Sequence, residues 1–456
     1  MAASKKIVVL VPDGTGVKNY LYSGVFTTGE ASLVLLHNFD PDTVATLAQH
    51  VPFDVEMQLP SYTEKKREKF LRELIHLSRI RWNATQVKNP TIHVFSRHNA
   101  RTLKQKAFYA LVRTAARFVR SYTRILSLEA RYAAMLRKNP FYHTIQDALR
   151  KQAPDLVFCT HQRALKAPAV FAAASDLGIP TATVIYSWDN IPKARLALRA
   201  DRYLVWSPHM GQELQQFYPE IPAERIEVTG TPQFEFYKDA SNILPKETFY
   251  ARYGLDPDKK LICFSGDDVR TSPHDPKYLE DLAEALTVSG MATSTQLIFR
   301  RCPVDLSGRY DAVLKKYPNL IVPMPPLWHQ RAIGWSAVYP DYEDVKLLVS
   351  LAYYADLVIN VGSTMAFDFG MFGKPCAYIN YDTVEDPNWS VNTIYKYQHF
   401  RSMPSPKAVF WLHDREQIAS VVGTALEQPE TAIREWFNTI VAYPDTASEQ
   451  IRKALL

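Results

Sequence analysis

The sequence DVKLLVSLAYYADLVINVGSTMAFDFGMFGKPCAYINYD, residues 344–382, alternates the patterns of helices and strands. It begins with apolar residues at the spacing of one helix face, on Val345, Leu348, Val349 and Ala352. Leu357 to Val361 is a β-branched run typical of a buried strand, and Cys376 to Asn380 is predicted as the next strand. A short helix, Met365 to Phe372, lies between them and ends at Gly373 and Pro375. The succession predicts one half of a doubly wound parallel sheet.

The turn between the first of these strands and the short helix has the chemistry of an anion site. Backbone N–H groups that open a helix are unpaired and carry partial positive charge, so they favour a phosphate. Gly362 keeps the turn tight, Ser363 and Thr364 add hydroxyl donors, and Asp368 could accept hydrogen bonds from ribose hydroxyls. The alternative is that Ser363 only caps the helix and that Asp368 is solvated.

The composition is that of a globular protein with more than one domain. The chain has 456 residues, 47% hydrophobic and 22% charged, a length that predicts two or three domains. The four cysteines are scattered without a CxxC pair, which favours a reducing compartment and argues against zinc or a disulfide framework. The apolar run Ile7 to Val11 is too short for a signal peptide or a membrane span. We therefore expect a cytoplasmic protein without a metal site.

The net charge of +6 conceals an uneven distribution. Residues 64–138 contain 19 Lys or Arg and 4 Glu, a balance of +15, so the rest of the chain carries −9. In this segment, 64–80 and 103–135 have helical patterns, and Arg113, Arg117, Arg120 and Arg124 fall on one face of the second helix. Leu111, Ala115, Phe118, Tyr122 and Ile125 occupy another face. Such a helix can lie on an anionic membrane or grip a phosphate-bearing partner, or it can pack on the core with solvated arginines.

Strand and helix patterns alternate on both sides of the basic segment, as in parallel sheets. Before it, strands are predicted at 7–11, 32–36 and 53–57, with a helix at 42–50. The loop DGTG (13–16) leads into a stretch at 17–26 that is predicted to be helical. DGTG lacks the GxGxxG spacing, so it is a weak phosphate signal that nevertheless suits close approach of a ligand.

After residue 154 the alternation returns, first with strands at 156–160, 181–186, 202–206 and 226–229. The glycine and proline cluster at 230–237 and the polar residues after it predict a linker. Further strands follow at 261–265, 296–299 and 320–322, then an irregular aromatic segment at 323–341. We predict an N-terminal domain over residues 1–240 with a helical basic insert at about 62–151, a C-terminal domain over 246–430, and a helical tail over 431–456.

Five motifs resemble those of GT-B glycosyltransferases, most closely bacterial surface-carbohydrate proteins related to CDP-glycerol glycerophosphotransferases and UDP-GlcNAc 2-epimerases. They are DGTGVKNYL (13–21), YSWDN (186–190), VTGTPQFE (228–235), RRCP (300–303) and VINVGSTMAFDFGMFGKP (358–375). The resemblance covers both sheet domains but not the basic insert. It implies an α/β protein with two doubly wound, Rossmann-like domains facing across a cleft, which uses a nucleotide-sugar as donor substrate and needs no metal or other cofactor.

The resemblance implies a donor site at three strand exits of the C-terminal domain. The residues expected there are Gly266, Asp268, Arg270, Thr271, Arg300, Arg301, Gly362, Ser363, Thr364 and Asp368. Arginine suits a diphosphate because it is permanently charged and can bond bidentately. Relatives often have His-Pro close after an arginine, and here Cys302 stands where histidine is expected. That departure leaves Arg300 and Arg301 to bind the phosphates. The alternative is that these arginines only form a surface ion pair.

Sugar transfer also requires a base for the acceptor hydroxyl, and the resemblance implies that the N-terminal domain supplies it. Asp189 and Asp13 rank equally as candidates, with His161 behind them. Asp189 lies in an aromatic loop where desolvation would raise its pKa, and Asp13 lies beside two glycines with room for a ligand. Each has a structural alternative: Asp189 could cap a turn, Asp13 could brace the DGTG loop, and His161 could be a hydrogen-bonded histidine of the core. Acceptor or loop contacts are expected from Gly14, Gly16, Trp188 and Asn190.

Taken together, these observations favour a glycosyltransferase that moves a sugar from a nucleotide-sugar to a cell-surface glycan or lipid-linked precursor. The basic insert would place it on the inner face of the membrane. A CDP-polyol phosphotransferase of the same fold is the first alternative and a sugar-nucleotide epimerase the second. A nucleic-acid-binding protein is disfavoured because no recognised motif accompanies the charge. The sequence lacks GxSxG and GxGxxG, which argues against a serine hydrolase and a dinucleotide oxidoreductase.

Overall fold

The computed structural model describes residues 4–96, 98, 100–196, 199–330 and 338–456. The chain divides into two compact units. The first unit comprises Met1–Pro232, Tyr397–His399 and Ile440–Leu456, and the second comprises Gln233–Lys396 and Phe400–Thr439. The division at residue 232 thus lies inside the predicted linker region, and the end of the predicted tail belongs to the first unit.

The first unit contains a parallel sheet of seven strands within the described residues, in the order β3-β2-β1-β4-β5-β6-β7. The strands are β1 (Lys5–Val11), β2 (Ala31–His37), β3 (Val55–Gln58), β4 (Leu156–Cys159), β5 (Thr181–Val184), β6 (Arg202–Val205) and β7 (Ile226–Val228). The last five residues of β1 are buried, as expected for a strand covered on both faces. Because β1 pairs with β2 on one side and β4 on the other, the order reverses between β1 and β4.

The second unit contains a parallel sheet of six strands within the described residues, in the order β10-β9-β8-β13-β14-β15. Its strands, with an antiparallel pair β11 and β12, are β8 (Lys260–Ser265), β9 (Thr295–Arg300), β10 (Ile321–Pro323), β11 (Trp328–Gln330), β12 (Val338–Pro340), β13 (Leu357–Asn360), β14 (Cys376–Ile379) and β15 (Phe410–Leu412). Here the order reverses between β8 and β13. The predicted α/β class with two doubly wound sheets is confirmed.

Helices connect the parallel strands in both units. They are α1 (Pro41–Ala48), α2 (Lys66–Gln86), α3 (Leu103–Ala116), α4 (Tyr122–Leu136), α5 (Pro140–Gln152), α6 (Ala167–Asp176), α7 (Pro208–Phe217), α8 (Lys246–Tyr253), α9 (Asp275–Val288), α10 (Asp311–Lys316), α11 (Tyr342–Tyr354), α12 (Met365–Gly370), α13 (Val391–Ile394), α14 (Ile418–Glu427), α15 (Ile433–Ile440) and α16 (Ala447–Leu455). Helices α2 to α5 lie between β3 and β4. Among the described helices, none is long and apolar enough to cross a membrane.

Two predicted helices are each divided in the structure. The helix predicted over 103–135 is α3 and α4, because the Ser121 side chain accepts a hydrogen bond from the Arg124 N–H and starts a new helix. The helical tail predicted over 431–456 is α15 and α16. These helices are separated by Tyr443, with a φ of 51°, and by Pro444, which cannot donate a backbone hydrogen bond.

Two other predictions were also wrong in part. The segment 17–26 forms only a short π-helical turn, Val17–Leu21. The segment 323–341, predicted to be irregular, contains β11 and β12, while its residues 331–337 lie outside the described part of the chain.

Candidate functional site

The carboxyl ends of β1 and β4 lie side by side where the strand order of the first sheet reverses. In open α/β sheets such a switch point forms a crevice that binds ligands. Asp13, Gly14 and Gly16 follow β1 directly, and His161 follows β4. The structure therefore brings together two of the three predicted base candidates and the DGTG loop.

The DGTG loop is held against the residue that follows β4. A Cβ atom on Gly16 would lie 2.2 Å from Oγ1 of Thr160, so only glycine fits at this crossing. The Val17 N–H donates to the Gly14 carbonyl (3.2 Å) and the Thr15 N–H donates to the Asp13 carboxylate (3.1 Å). The loop thus fixes the position of the Asp13 side chain.

Asp13 and His161 form a buried pair. Nδ1 of His161 lies 2.7 Å from Oδ2 of Asp13, and Asp13 is only 5% exposed. Burial acts to raise the pKa of the Asp13 carboxyl, but the charge and hydrogen bond of His161, with the Thr15 N–H, outweigh it and lower the net pKa. An ionised carboxylate only accepts hydrogen bonds, so Nδ1 carries a hydrogen. Nε2 of His161 has no hydrogen-bond partner within the described part of the chain.

The third candidate, Asp189, has structural partners. Its carboxylate accepts hydrogen bonds from Ser187 Oγ (2.7 Å) and Asn190 Nδ2 (2.8 Å), and it forms an ion pair with Lys193. Burial acts to raise the pKa of Asp189, but chiefly the Lys193 charge outweighs it and holds this pKa well below its ordinary value. That is opposite to the direction expected from the sequence, and it makes Asp189 a poor base.

The loop that contains Asp189 is fixed from both sides. The Asn190 side-chain oxygen accepts from Arg163 (3.2 Å) and Gln162 (3.5 Å). The ring of Trp188 is buried and lies nearly perpendicular to the ring of His399, at 4.7 Å between ring centres. Burial lowers the pKa of His399 to about 4. Sequence reasoning missed His399 because nothing local connects residues 397–399 to the first unit.

In the second unit the strand order reverses between β8 and β13, and two predicted donor segments follow these two strands. The Gly266 N–H donates to the Arg300 carbonyl (2.9 Å). The Asp268 carboxylate accepts from the N–H groups of Arg270 (2.8 Å) and Thr271 (3.2 Å), so it braces the loop. Arg270 itself is exposed.

Two neighbouring acids, the half-buried Asp267 and the buried Asp275, were missed from the sequence. The Asp267 N–H donates to Asp275 Oδ2 (2.6 Å), and the Tyr310 hydroxyl donates to the same carboxylate (3.2 Å). Burial raises the pKa of Asp275 to about 6, and burial together with the Asp275 charge raises that of Asp267. The motif GDDV contains the signal, but choosing Asp267 over Asp268 requires the direction of each side chain, which the pattern does not give.

Arg300 is committed to an ion pair within the second unit. Its NH2 group donates to both carboxylate oxygens of Asp344 at 2.9 Å, and both side chains are buried. The neighbouring Arg301 is half-buried and donates to the carbonyls of Asp305 (3.0 Å) and Cys302 (3.5 Å). Arg300 therefore belongs to a buried ion pair, so it is not a free cation, and the alternative of a surface ion pair is wrong.

The Gly362–Thr364 turn follows β13 with a left-handed residue, Gly362, at a φ of 71°. The Ser363 N–H donates to Asn360 Oδ1 (2.7 Å). Asp368 lies on the short helix α12, is only 7% exposed, and accepts a hydrogen bond from Tyr237 (2.7 Å). The idea that Asp368 is merely solvated is therefore wrong.

A cavity of about 80 Å³ lies in the first unit, beside the loop that carries His161. Its lining includes four arginines and one glutamate: Arg72, Arg79, Arg163, Arg195 and Glu129. Next to it Glu73, His76 and His98 lie close enough together to hold a metal ion. Glu73 is already paired with Arg72 (2.6 Å) and Arg195 (3.3 Å), and this positive surrounding disfavours a cation.

The sequence matches no protein-family model and no curated protein. Solved structures resemble the fold along nearly its whole length. UDP-GlcNAc 2-epimerase from Methanocaldococcus jannaschii shares 12% identity at a TM-score of 0.56, with 99% of each chain covered. UDP-GlcNAc 2-epimerase from Neisseria meningitidis, bound to UDP-GlcNAc, shares 11% identity at a TM-score of 0.50, with 99% of each chain covered. S. aureus MnaA, with UDP, shares 11% identity at a TM-score of 0.51, with 98% of this chain and 94% of that chain covered. The resemblance to the GT-B class is thereby confirmed for the fold.

Proposed function

We propose that this chain is an enzyme that acts on a nucleotide-sugar and transfers the sugar to an acceptor hydroxyl. The observation that carries the proposal is the Asp13–His161 pair at the switch point of the first sheet. A histidine whose Nδ1 is fixed by a buried carboxylate, and whose Nε2 has no hydrogen-bond partner among the described residues, is arranged as a general base.

In the proposed reaction the acceptor hydroxyl gives its proton to Nε2 of His161 while its oxygen bonds to the anomeric carbon. The bond from that carbon to the phosphate oxygen breaks, and the nucleoside diphosphate leaves with the electron pair. Asp13 stays ionised, keeps the ring oriented and stabilises the imidazolium that forms. His161 thus takes precedence over Asp189, whose charge is neutralised by Lys193.

We assign the nucleotide to the second unit, at the ends of β8 and β13. Two structures that share the fold are described with UDP-GlcNAc and with UDP, which supports a nucleotide of this kind. Asp368 would accept from the ribose, and the Gly362–Thr364 turn would face phosphate oxygens. Since Asp344 already neutralises Arg300, Arg270 and Arg301 are the remaining cationic candidates for the diphosphate.

A sugar-nucleotide epimerase is the second candidate, because two of the three structural neighbours named above are UDP-GlcNAc 2-epimerases. An epimerase moves a proton between the two faces of a carbon atom and needs no acceptor. The Asp13–His161 pair could also serve that chemistry. The products distinguish the two: an epimer still joined to its nucleotide, or a free nucleoside diphosphate.

The first experiment measures the melting temperature with UDP, CDP, GDP, ADP, CMP and TDP. The nucleotide-sugar of the stabilising nucleotide is then incubated with wild type and with His161→Gln, followed by ³¹P and ¹H NMR. We expect one nucleotide to raise the melting temperature, and slow release of nucleoside diphosphate, with water as acceptor, that His161→Gln abolishes. An epimer in the wild-type sample would select the second candidate. No stabilisation by any nucleotide would contradict both.

A further inference from the structure

Helix α3 of the first unit presents large apolar side chains to solvent. Leu103 is 84% exposed and Leu111 is 58% exposed. With Ala107 between them, they follow at four-residue intervals and lie along one side of the helix. Phe118, in the turn that ends the helix, is 64% exposed. Three of the eleven exposed large apolar side chains of the described residues thus fall within residues 103–118.

The opposite side of α3 already makes the helix's contact with the protein. Val112 and Ala116 are buried there, and the Phe108 ring packs on Phe70 of α2 at 6.3 Å between ring centres. The outer apolar side chains are therefore not part of the core.

Cations surround these outer apolar side chains. The exposed ones are Lys104, Lys106, Arg113, Arg117 and Arg120, and none of the five has an ion-pair partner among the described residues. Residues 74–128 contain 11 Lys or Arg and no Asp or Glu. Exposed leucine and phenylalanine beside unpaired cations is the composition of a helix that lies in the interface of an anionic membrane.

We propose that the outer face of α3, defined by Leu103, Ala107, Leu111 and Phe118, docks on a bilayer that contains anionic lipid. The apolar side chains enter the boundary of the acyl chains, and the flanking cations bind lipid phosphates. A nucleic acid would use the cations but leave Leu103 and Leu111 in water. A second copy of the chain, packed through the same face, would bring like charges together. This surface goes beyond the proposed function, and its test measures no turnover.

The test is co-sedimentation of the full chain with sucrose-loaded vesicles, either of phosphatidylcholine alone or of phosphatidylcholine with phosphatidylglycerol. The apolar variant combines Leu103→Ser, Leu111→Ser and Phe118→Ser. Its matched control, in the second unit, combines Val288→Ser and Leu306→Ser, which are 82% and 56% exposed. A charge variant combines Lys104→Gln, Lys106→Gln and Arg113→Gln. All of these positions are exposed, so we expect every variant to fold.

We expect wild type and the matched control to bind the anionic vesicles and not the neutral ones. The apolar and charge variants should each lose about tenfold or more in vesicle partitioning. Absence of wild-type binding to anionic vesicles would overturn the proposal, and so would an apolar variant that binds like wild type. If only the charge variant loses binding to anionic vesicles, and wild type binds single-stranded DNA with the same affinity as these vesicles, the surface is a general polyanion surface instead.

Discussion

The imidazole of His161 lies 2.7 Å from the carboxylate of Asp13, although the two residues are 148 positions apart. The chain between them includes strands β2, β3 and β4 and helices α1 to α5 of the described structure, yet β4 returns to pair with β1. The pair therefore depends on strand order, and its proposed role can be tested separately from the rest of the fold.

His161→Gln removes the proposed base while keeping a polar side chain that can meet Asp13. We expect kcat to fall about 10²–10⁴-fold with unchanged nucleotide affinity, measured by turnover and by isothermal titration. Asp13→Asn should also lower kcat, because an amide no longer stabilises the imidazolium. Asp189→Asn is the control. We expect it to lower the melting temperature and to leave kcat nearly unchanged. A kcat loss in Asp189→Asn equal to that in His161→Gln, at unchanged stability, would reverse the assignment.

Asp368→Asn tests the ribose contact. Asparagine keeps an oxygen for the Tyr237 hydroxyl but loses the negative charge, so we expect nucleotide affinity to fall about tenfold, since hydrogen bonds to charged groups are the stronger ones. Tyr237→Phe is the matched control. It should cost about 1–3 kcal/mol of stability by leaving a buried carboxylate oxygen without its donor, and it should not change nucleotide affinity. Equal nucleotide affinity in wild type and Asp368→Asn would remove Asp368 from the site.

Gly362→Ala tests the turn after β13. Its φ is 71° and a Cβ atom would lie 2.8 Å from Cζ of Phe400. Gly373→Ala is the control, because its φ is 66° and its Cβ atom would meet nothing within 4 Å. We expect Gly373→Ala to cost about 1–2 kcal/mol for the left-handed backbone and Gly362→Ala about 1–3 kcal/mol more for the contact. Equal losses in urea unfolding would show that Phe400 moves aside without cost.

Glu213→Gln tests a buried acid of the first unit. Burial raises the pKa of Glu213 from 4.5 to about 8. Between those two pH values the folded chain keeps a proton that the unfolded chain has released, so stability falls as the pH rises. The side-chain amide of the variant does not titrate, so the variant lacks this loss of stability. We expect its gain in melting temperature over wild type to be close to zero near about pH 5 and to increase up to about pH 8. A gain independent of pH would show that Glu213 is ionised in the folded chain.

The strands were predictable because parallel strands buried on both faces appear as near-continuous apolar runs, as in residues 7–11 and 357–361. The break between α3 and α4 was also encoded, since Ser121 is a good N-cap residue. The positions of Asp13 and His161 at strand exits followed from the same runs. Their contact did not, because the sequence does not specify which strands become neighbours.

The Asp189–Lys193 and Arg300–Asp344 pairs show two levels of predictability. Lys193 is four residues from Asp189, so a local search for opposite charges would have found it. Asp344 is 44 residues from Arg300 on a different element, and only the packing of α11 reveals that the arginine is neutralised. The same applies to His399, which reaches the Asp189 loop from a distant segment.

The first unit is completed by residues 440–456, which follow the whole of the second sheet in the chain. The Lys5 ammonium on β1 donates to the carbonyls of Leu455 and Leu456 (both 2.9 Å), and Arg452 of α16 donates to the Gly24 carbonyl (3.0 Å). On the ribosome, residues 233–396 of the second unit emerge before residues 440–456. Domains usually fold in the order of synthesis, N-terminal first. Here the second unit can become complete earlier, because the last helix of the first unit is encoded more than 400 codons after β1.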